Sequence, residues 1–299
     1  MSEVSGSQPR LARITLFPIK SLEGISVDSA QILVSGALEH DRQFAIRDEQ
    51  GRFVNGKRTD CIHRLRSACD PIARRLIFRN DEISDPVSFH IDDERADLEA
   101  WLSDNLAMSV TLVEDAIGGF PDDTDAAGPT VISTATLGAI TEWFPEIDLD
   151  EARRRFRANL EIEGTEPFWE DRLFAEEGAV VAFQIGGVTL AGVNPCARCV
   201  VPSRNTADGE RIDWFRERFM EHRRRTLPDW SESSRFNHFY GLAVNTRPLR
   251  NDVVNRPDIS ASDISASDIS VSDISVSDID AAASVQVGQS VQILGRQPV

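Results

Sequence analysis

Short runs of alternating or β-branched apolar residues, each ended by a turn-forming cluster, recur along the chain and confine it to a mainly β architecture with some α. Over the first ~115 residues such runs fall at Arg13 to Phe17, Ala30 to Val34 and Gln43 to Arg47. The turn Asp48-Glu49-Gln50-Gly51 leads into Arg52-Phe53-Val54, and further strands are predicted at Arg75 to Arg79 and Ser109 to Val113. Between the last two, Asp97 is placed to cap a helix that sets Leu98, Trp101 and Leu102 on one face. The segment reads as a β-rich, barrel-like module.

From Ile117 to Pro129 the sequence turns rich in Gly, Pro and Asp, a junction between a module at 1–117 and a second domain at 128–299. In the second, Ser133 or Thr134 caps a helix with Leu137, Ile140 and Phe144 in phase. A basic patch of Arg153, Arg154, Arg155 and Arg157 then precedes a strand at Ala158 to Glu163. Val180 to Val193 reads as two strands joined at Gly186-Gly187, and Asp213 opens a helix that pairs Phe215 with Phe219. Strands at Tyr240 to Asn245 and Val291 to Leu294 follow. Between these lies a repeat in which Asp258, Asp263, Asp268, Asp273 and Asp278 each begin a unit Asp-Ile-Ser-(Ala/Val)-Ser. Five residues match neither a helical nor a heptad period, and Ser and Asp compete for backbone hydrogen bonds. Residues 258–280 are therefore expected to be a flexible inserted loop. A calcium-binding repeat would need glycines that these units lack.

Charge narrows the partners. The chain has 49 acidic against 32 basic residues, a net charge of −17, and its only lysines are Lys20 and Lys57. Such a surface disfavours nonspecific nucleic-acid binding and suits a halophile-like, salt-rich cytoplasm. No apolar run reaches the ~18 residues of a membrane span, and the first residues lack the pattern of a secretion signal. A cytoplasmic protein without membrane association is expected.

Four cysteines, Cys61, Cys69, Cys196 and Cys199, are too few for a disulfide scaffold in 299 residues. Cys196-Ala197-Arg198-Cys199 is a lone Cys-x-x-Cys pair. A zinc site would need further ligands, which Cys61, His63 and Cys69 supply only if the two modules meet there. A thioredoxin-like pair would open a helix, whereas Pro195, Val200 and Val201 suggest a loop running into a strand. Two buried structural thiols remain the plain alternative. Arg198 beside the thiol favours the thiolate, the form that ligates soft metals. Elsewhere Lys20 and Ser21 follow the first strand, Asp41-Arg42 precedes another, and Arg157-Ala158-Asn159 precedes a third. If these strand ends converge, they form a pocket for a compact polyanion.

Pro18-Ile19-Lys20-Ser21, Asp41-Arg42, Arg155-Phe156-Arg157-Ala158-Asn159, Pro167-Phe168-Trp169-Glu170-Asp171 and Pro195-Cys196-Ala197-Arg198-Cys199 occur in the order found in MOSC proteins. The chain resembles the branch with an N-terminal β-barrel that includes the mitochondrial amidoxime-reducing components and their bacterial relatives. The resemblance runs from about Leu11 to Leu294. It implies an N-terminal β-barrel module followed by a β-barrel-like MOSC domain, with a molybdenum-pterin cofactor between them. It implies Cys199 as the catalytic cysteine and molybdenum ligand, and Lys20, Ser21, Arg42, Arg157, Asn159 and Arg198 as cofactor contacts. Phe168 and Trp169 would wall the site or serve as core. A pyridoxal-phosphate-binding description is compatible with the same resemblance.

The implied activity is reduction of a small N-hydroxylated or N-oxide-type substrate. Bacterial members of the branch often carry a ferredoxin-like domain, whereas this chain holds no four-cysteine cluster, so a separate ferredoxin- or cytochrome-like electron donor is expected. The stretch Asn55-Gly56-Lys57-Arg58 departs from the arginine-containing loop of the amidoxime reducers, which points to a different substrate mouth. A carrier of the cofactor or of persulfide sulfur, without reductase activity, is the alternative, and a zinc-stabilised structural protein is a third.

Overall fold

The computed structural model describes residues 8–80, 83–249 and 283–298; the serine–aspartate repeat lies outside the described residues. In chain order the strands are Arg10–Leu16 (β1), Ile25–Val27 (β2), Ser29–Gln31 (β3), Phe44–Asp48 (β4), Arg66–Asp70 (β5), Arg75–Asn80 (β6), Ile83–His90 (β7), Val110–Glu114 (β8), Val131–Ser133 (β9), Leu160–Glu163 (β10), Ala179–Ile185 (β11), Val188–Ala197 (β12), Gly241–Pro248 (β13), Ser284–Gln286 (β14) and Val291–Pro298 (β15). The helices are Arg95–Leu106 (α1), Thr134–Trp143 (α2), Leu149–Phe156 (α3) and Phe215–Arg225 (α4).

The largest sheet runs β15-β11-β12-β13-β9-β10-β1-β2. Its ends meet. Arg10 bridges Ser290, Leu11 N–H donates to Gln289 O at 2.9 Å, and Val291 N–H donates to Pro9 O at 2.8 Å. Closing the sheet in this way satisfies edge groups that would otherwise be left bare. Leu11, Ile14, Phe183, Leu190 and Val244 fill its interior. The first strand of the chain thus belongs to the sheet of the C-terminal segment, pairing antiparallel with β10.

A second core lies between the β4–β8 pair, the three-stranded sheet β5-β6-β7 and α1. Phe44, Ile46, Phe78, Leu98, Leu102 and Leu112 are buried there, and Trp101 stacks on Phe78 with ring centroids 4.4 Å apart. A third core covers the outside of the large sheet. Consecutive strand residues point to opposite faces, so Val131 enters the barrel interior while Ile132 packs under α2, α3 and α4 with Phe144, Phe156, Phe215 and Phe219. Ser133 caps α2 as expected, its side chain accepting from Thr136 N–H.

Four local expectations change. Helix α1 starts at Arg95, with Glu94 in the cap position, so Asp97 sits inside the first turn. Tertiary contacts set this start, because Arg95 donates to Ile91 O and Leu112 O and Glu94 accepts from His90 N–H. Asp213 does not open α4; the Phe215 N–H closes a turn on Ile212 O and the helix begins there. Val200 and Val201 do not enter a strand, since Val201–Ser203 is a 3-10 turn in which Ser203 Oγ donates to Val200 O at 2.6 Å. The strand expected at Ala30 to Val34 is cut to Ser29–Gln31, because the chain folds back for Leu33 N–H to reach Ala37 O.

Candidate functional site

A cavity of about 830 Å³ opens where the two sheet systems meet. It collects the ends of strands that are far apart in sequence. The segment after β1 brings Lys20 and Ser21, the turn before β4 brings Arg42, the link from α3 to β10 brings Arg157 and Asn159, and the end of β12 brings Cys196, Arg198 and Cys199. All eight, each singled out from the sequence, line this one cavity. Ten Lys and Arg side chains line it against six Asp and Glu, the reverse of the balance of the whole chain. Its interior therefore favours an anion in an otherwise acidic protein.

Three of these residues have left-handed backbone, Ser21 (φ 74°), Arg42 (φ 51°) and Arg157 (φ 51°). Such a conformation costs a non-glycine residue about 1–2 kcal/mol, so surrounding contacts must hold it. Arg157 takes it as the C-terminal cap of α3, with its N–H on Arg153 O at 2.9 Å.

The cations differ in how free they are. Lys20 Nζ donates to Asp122 Oδ1 at 2.6 Å and to Phe120 O at 2.8 Å. Burial lowers the Lys20 pKa, against the pull of Asp122. Partial desolvation in the cavity mouth works the other way on Asp122, whose side chain is still 62% exposed, but Lys20 and Lys57 bring its carboxyl down to about 2. Arg42 is paired with Asp41 and reaches Asn159 Oδ1 at 3.4 Å. The basic patch on α3 is largely neutralised: Arg153 pairs with Glu161 and Asp150, and Arg154 and Arg155 with Glu151. Arg157 is the exception. Its guanidinium lies 4.0 Å from the Phe17 ring centroid and has no carboxylate or hydrogen-bond partner among the described residues. Burial, with Arg42 nearby, lowers its pKa to about 10, so it remains charged at neutral pH.

Two expected contacts are committed to the walls. Arg198 donates through Nε and Nη2 to Leu242 O at 2.9 and 2.6 Å, and through Nη1 to Phe156 O at 2.9 Å. Asn159 donates to Thr15 O at 3.0 Å and accepts from Thr130 N–H and Oγ1 at 3.2 Å. Asn159 thereby ties β1 to the segment before β9, and Arg198 ties the cysteine segment to β13 and α3.

Strand β12 is irregular between Pro195 and Ala197, where Cys196 sits. Cys199 follows the strand, and its Sγ accepts from Val201 N–H at 3.5 Å. Both thiols are half-buried and unbridged. The only tyrosine, Tyr240, lies close behind. Its carbonyl accepts Arg198 N–H at 2.9 Å, its hydroxyl is buried without a partner among the described residues, and burial together with the Cys199 charge pushes its pKa up.

Among the lining residues not read as part of this site from the sequence, His63 and Asp122 bear on its chemistry. His63 was considered only as a zinc ligand, yet it is the one histidine on the cavity wall among the described residues. Its pKa is lowered by burial and then by Arg204 and Arg157. The close fit of Gly56 against the His63 ring leaves no signal in a single sequence. Asp122 lay in the presumed junction. Phe168 and Trp169, in contrast, are core residues at 4% and 7% exposure and do not line the cavity. No group of three or more metal-ligating His, Cys, Asp or Glu side chains occurs among the described residues, and burial pushes the Cys69 thiol up to about 12. No helix among them is long and apolar enough to cross a membrane.

Comparison with known proteins gives this arrangement its family. Residues 8–124 match the MOSC N-terminal beta barrel domain and residues 126–261 match the MOSC domain. The molybdenum cofactor sulfurase of Drosophila melanogaster is 26% identical over 233 residues, covering 68% of this chain and 29% of the relative. The molybdenum cofactor sulfurase 2 of Culex quinquefasciatus is 22% identical over 244 residues, covering 68% of this chain and 31% of the relative. The chain thus spans under a third of the length of these curated relatives. A crystal structure of the YUAD protein from Bacillus subtilis aligns over 96% of both chains at 11% identity, with a TM-score of 0.35 that is too low to bear on the site. With an N-terminal beta barrel domain and a MOSC domain in succession, the chain belongs to the MOSC family.

Proposed function

We propose that this chain binds a molybdenum-pterin cofactor in the cavity, with Cys199 as the metal ligand, and reduces small N-hydroxylated or N-oxide-type substrates. The observation that carries the reading is the meeting of the Cys199 thiol and the unpaired Arg157 guanidinium in one cation-rich cavity. Its volume of about 830 Å³ lies within the usual range for cofactor and small-ligand sites. The donor set fits the group: a soft sulfur ligand at one end, and Arg157, Ser21, Lys20 and Arg42 as donors to a phosphate.

When bound, the cofactor supplies the oxygen-atom and electron chemistry. The chain does the rest. Arg157 offers a preformed phosphate seat. Arg198 and Asn159 act as positioning residues that hold the strand ends carrying Cys199 and Arg157. His63, kept neutral near pH 7 by burial, offers the substrate a hydrogen-bonding ring without a competing charge.

The likeness to molybdenum cofactor sulfurases favours a second reading, sulfur or cofactor carriage, in which the cysteines bear the cargo and no substrate is reduced. Metal and pterin analysis of the purified chain, combined with benzamidoxime reduction driven by dithionite, separates the two. Molybdenum and pterin in near-equal amounts with turnover are expected. A persulfide on Cys199 or Cys196 without turnover would favour carriage, and zinc without pterin would overturn both.

A further inference from the structure

We infer that the outer face of α4 is the docking surface for an acidic electron-transfer protein, an assignment that rests on the reductase reading above. In a chain of net charge −17, α4 carries five arginines against two glutamates. Arg223 turns inward onto Asp171, and Arg225 pairs with Glu221 at 3.3 Å. Arg216, Arg218 and Arg224 have no carboxylate partner among the described residues. They lie instead over aromatic rings, Arg216 5.7 Å from Tyr240, Arg218 5.3 Å from Trp214 and Arg224 5.1 Å from Phe239. Stacking on rings restrains these guanidinium groups while leaving their donors open. Trp214 is 47% exposed, an aromatic anchor beside the charges. Glu217 is the one acidic side chain of the helix without a cation partner among the described residues; Arg216 and Arg218 flank the solvent side of the helix, where together with Arg224 and Arg225 they outnumber Glu217 and Glu221.

Position supports electron entry here. The inward side of α4 touches the cavity wall. Phe215 lies 5.8 Å from the Arg155 guanidinium, and Phe219 lies 5.8 Å from the Phe156 ring; both Arg155 and Phe156 line the cavity. Tyr240 sits between, with its ring 5.2 Å from Phe219 and its carbonyl bonded to Arg198, the neighbour of Cys199. Phe219, Tyr240 and Arg198 thus form a chain of contacts from the inward side of α4 to the neighbour of Cys199. A partner with carboxylates around its redox centre would be steered to the arginines and held close to the site.

The test uses the cofactor-loaded full chain and two routes of reduction, dithionite and a reduced acidic [2Fe–2S] ferredoxin, with benzamidoxime as substrate. The variant Arg216→Glu/Arg224→Glu changes two exposed side chains outside the cavity, and Arg216→Ala/Arg224→Ala serves as the milder control for folding. Charge reversal should raise the KM for ferredoxin about tenfold at low salt, with the alanine variant intermediate and the difference shrinking as salt rises. Dithionite-driven turnover should stay unchanged. Ferredoxin-driven kinetics indifferent to both variants, with dithionite turnover intact, would overturn the docking assignment alone. Duplex-DNA binding lost in the variant while ferredoxin kinetics are unchanged would overturn it in favour of a nucleic-acid face. Absence of dithionite-driven turnover in the wild type would overturn the reductase reading, and the assignment with it.

Discussion

Glu170 should make this protein less stable as the pH rises through neutrality, and Glu170→Gln should remove that loss. The side chain is 1% exposed, its Oε2 accepts from Thr136 Oγ1 at 2.9 Å and from Ser133 N–H at 3.3 Å, and its Oε1 has no partner among the described residues. Burial, followed by the charge of Asp171, raises its pKa from 4.5 to about 7. The folded chain therefore holds a proton that the unfolded chain releases near the ordinary carboxylate value. The stabilisation from that proton is fully present below about pH 4.5 and is lost as the pH climbs through about 7. At roughly 1.4 kcal/mol per pH unit, the full loss approaches about 3 kcal/mol, and near-complete burial leaves little solvent screening to reduce it. For a chain of this size that corresponds to about 5–10 °C in Tm. Glutamine keeps the acceptor for Thr136 but puts an amide where Oε1 had no partner, which can cost about 1–3 kcal/mol at every pH. The readout is therefore the pH slope rather than the absolute Tm. Thermal melts of both proteins from about pH 5 to pH 8 should show the wild type falling relative to the variant. Parallel curves would refute the claim that the fold holds Glu170 protonated.

Other expectations concern the cavity and the surface. Cys199→Ser should abolish molybdenum-dependent turnover while pterin is retained, whereas Cys196→Ser should keep metal and most activity; the reverse pattern in metal analysis and turnover would reassign the ligand. Asp122→Asn removes the carboxylate that holds Lys20 at 2.6 Å and Lys57 at 3.7 Å, so calorimetry should show tighter pyrophosphate binding. The gain should be only about threefold to tenfold, because the Asp122 side chain is 62% exposed and screened; an unchanged Kd would show that Lys20 does not serve the anion seat. With a net charge of −17, Tm should rise steeply between about 0.1 M and molar potassium chloride, and a flat profile would dismiss the halophile-like character.

What the sequence determined by itself is what local chemistry determines. Period-two apolar runs and turn clusters foretold the strands around Phe44–Asp48, Arg75–Asn80 and Val188–Ala197, and Ser133 identified the start of α2 from the hydroxyl that accepts its N–H group. The site residues were legible as types, a lysine, arginines and cysteines placed at strand ends in a recognisable order. Tertiary structure decided what those types do. Only the closing of β1 onto β10 and β15 brings Lys20, Arg42, Arg157 and Cys199 into one cavity. Only the fold shows that Arg198 and Asn159 hold backbone, that Arg157 has no ion partner among the described residues while its neighbours on α3 do, and that Phe168 and Trp169 are core. His63 and Asp122 join the wall from distant segments, and Arg95 overrides Asp97 in setting the start of α1. The reason is the range of the forces involved: periodicity and capping act within a few residues along the chain, whereas the partner of a charge and the burial of a carboxyl depend on segments more than a hundred residues away, as the contact of Lys20 with Asp122 shows.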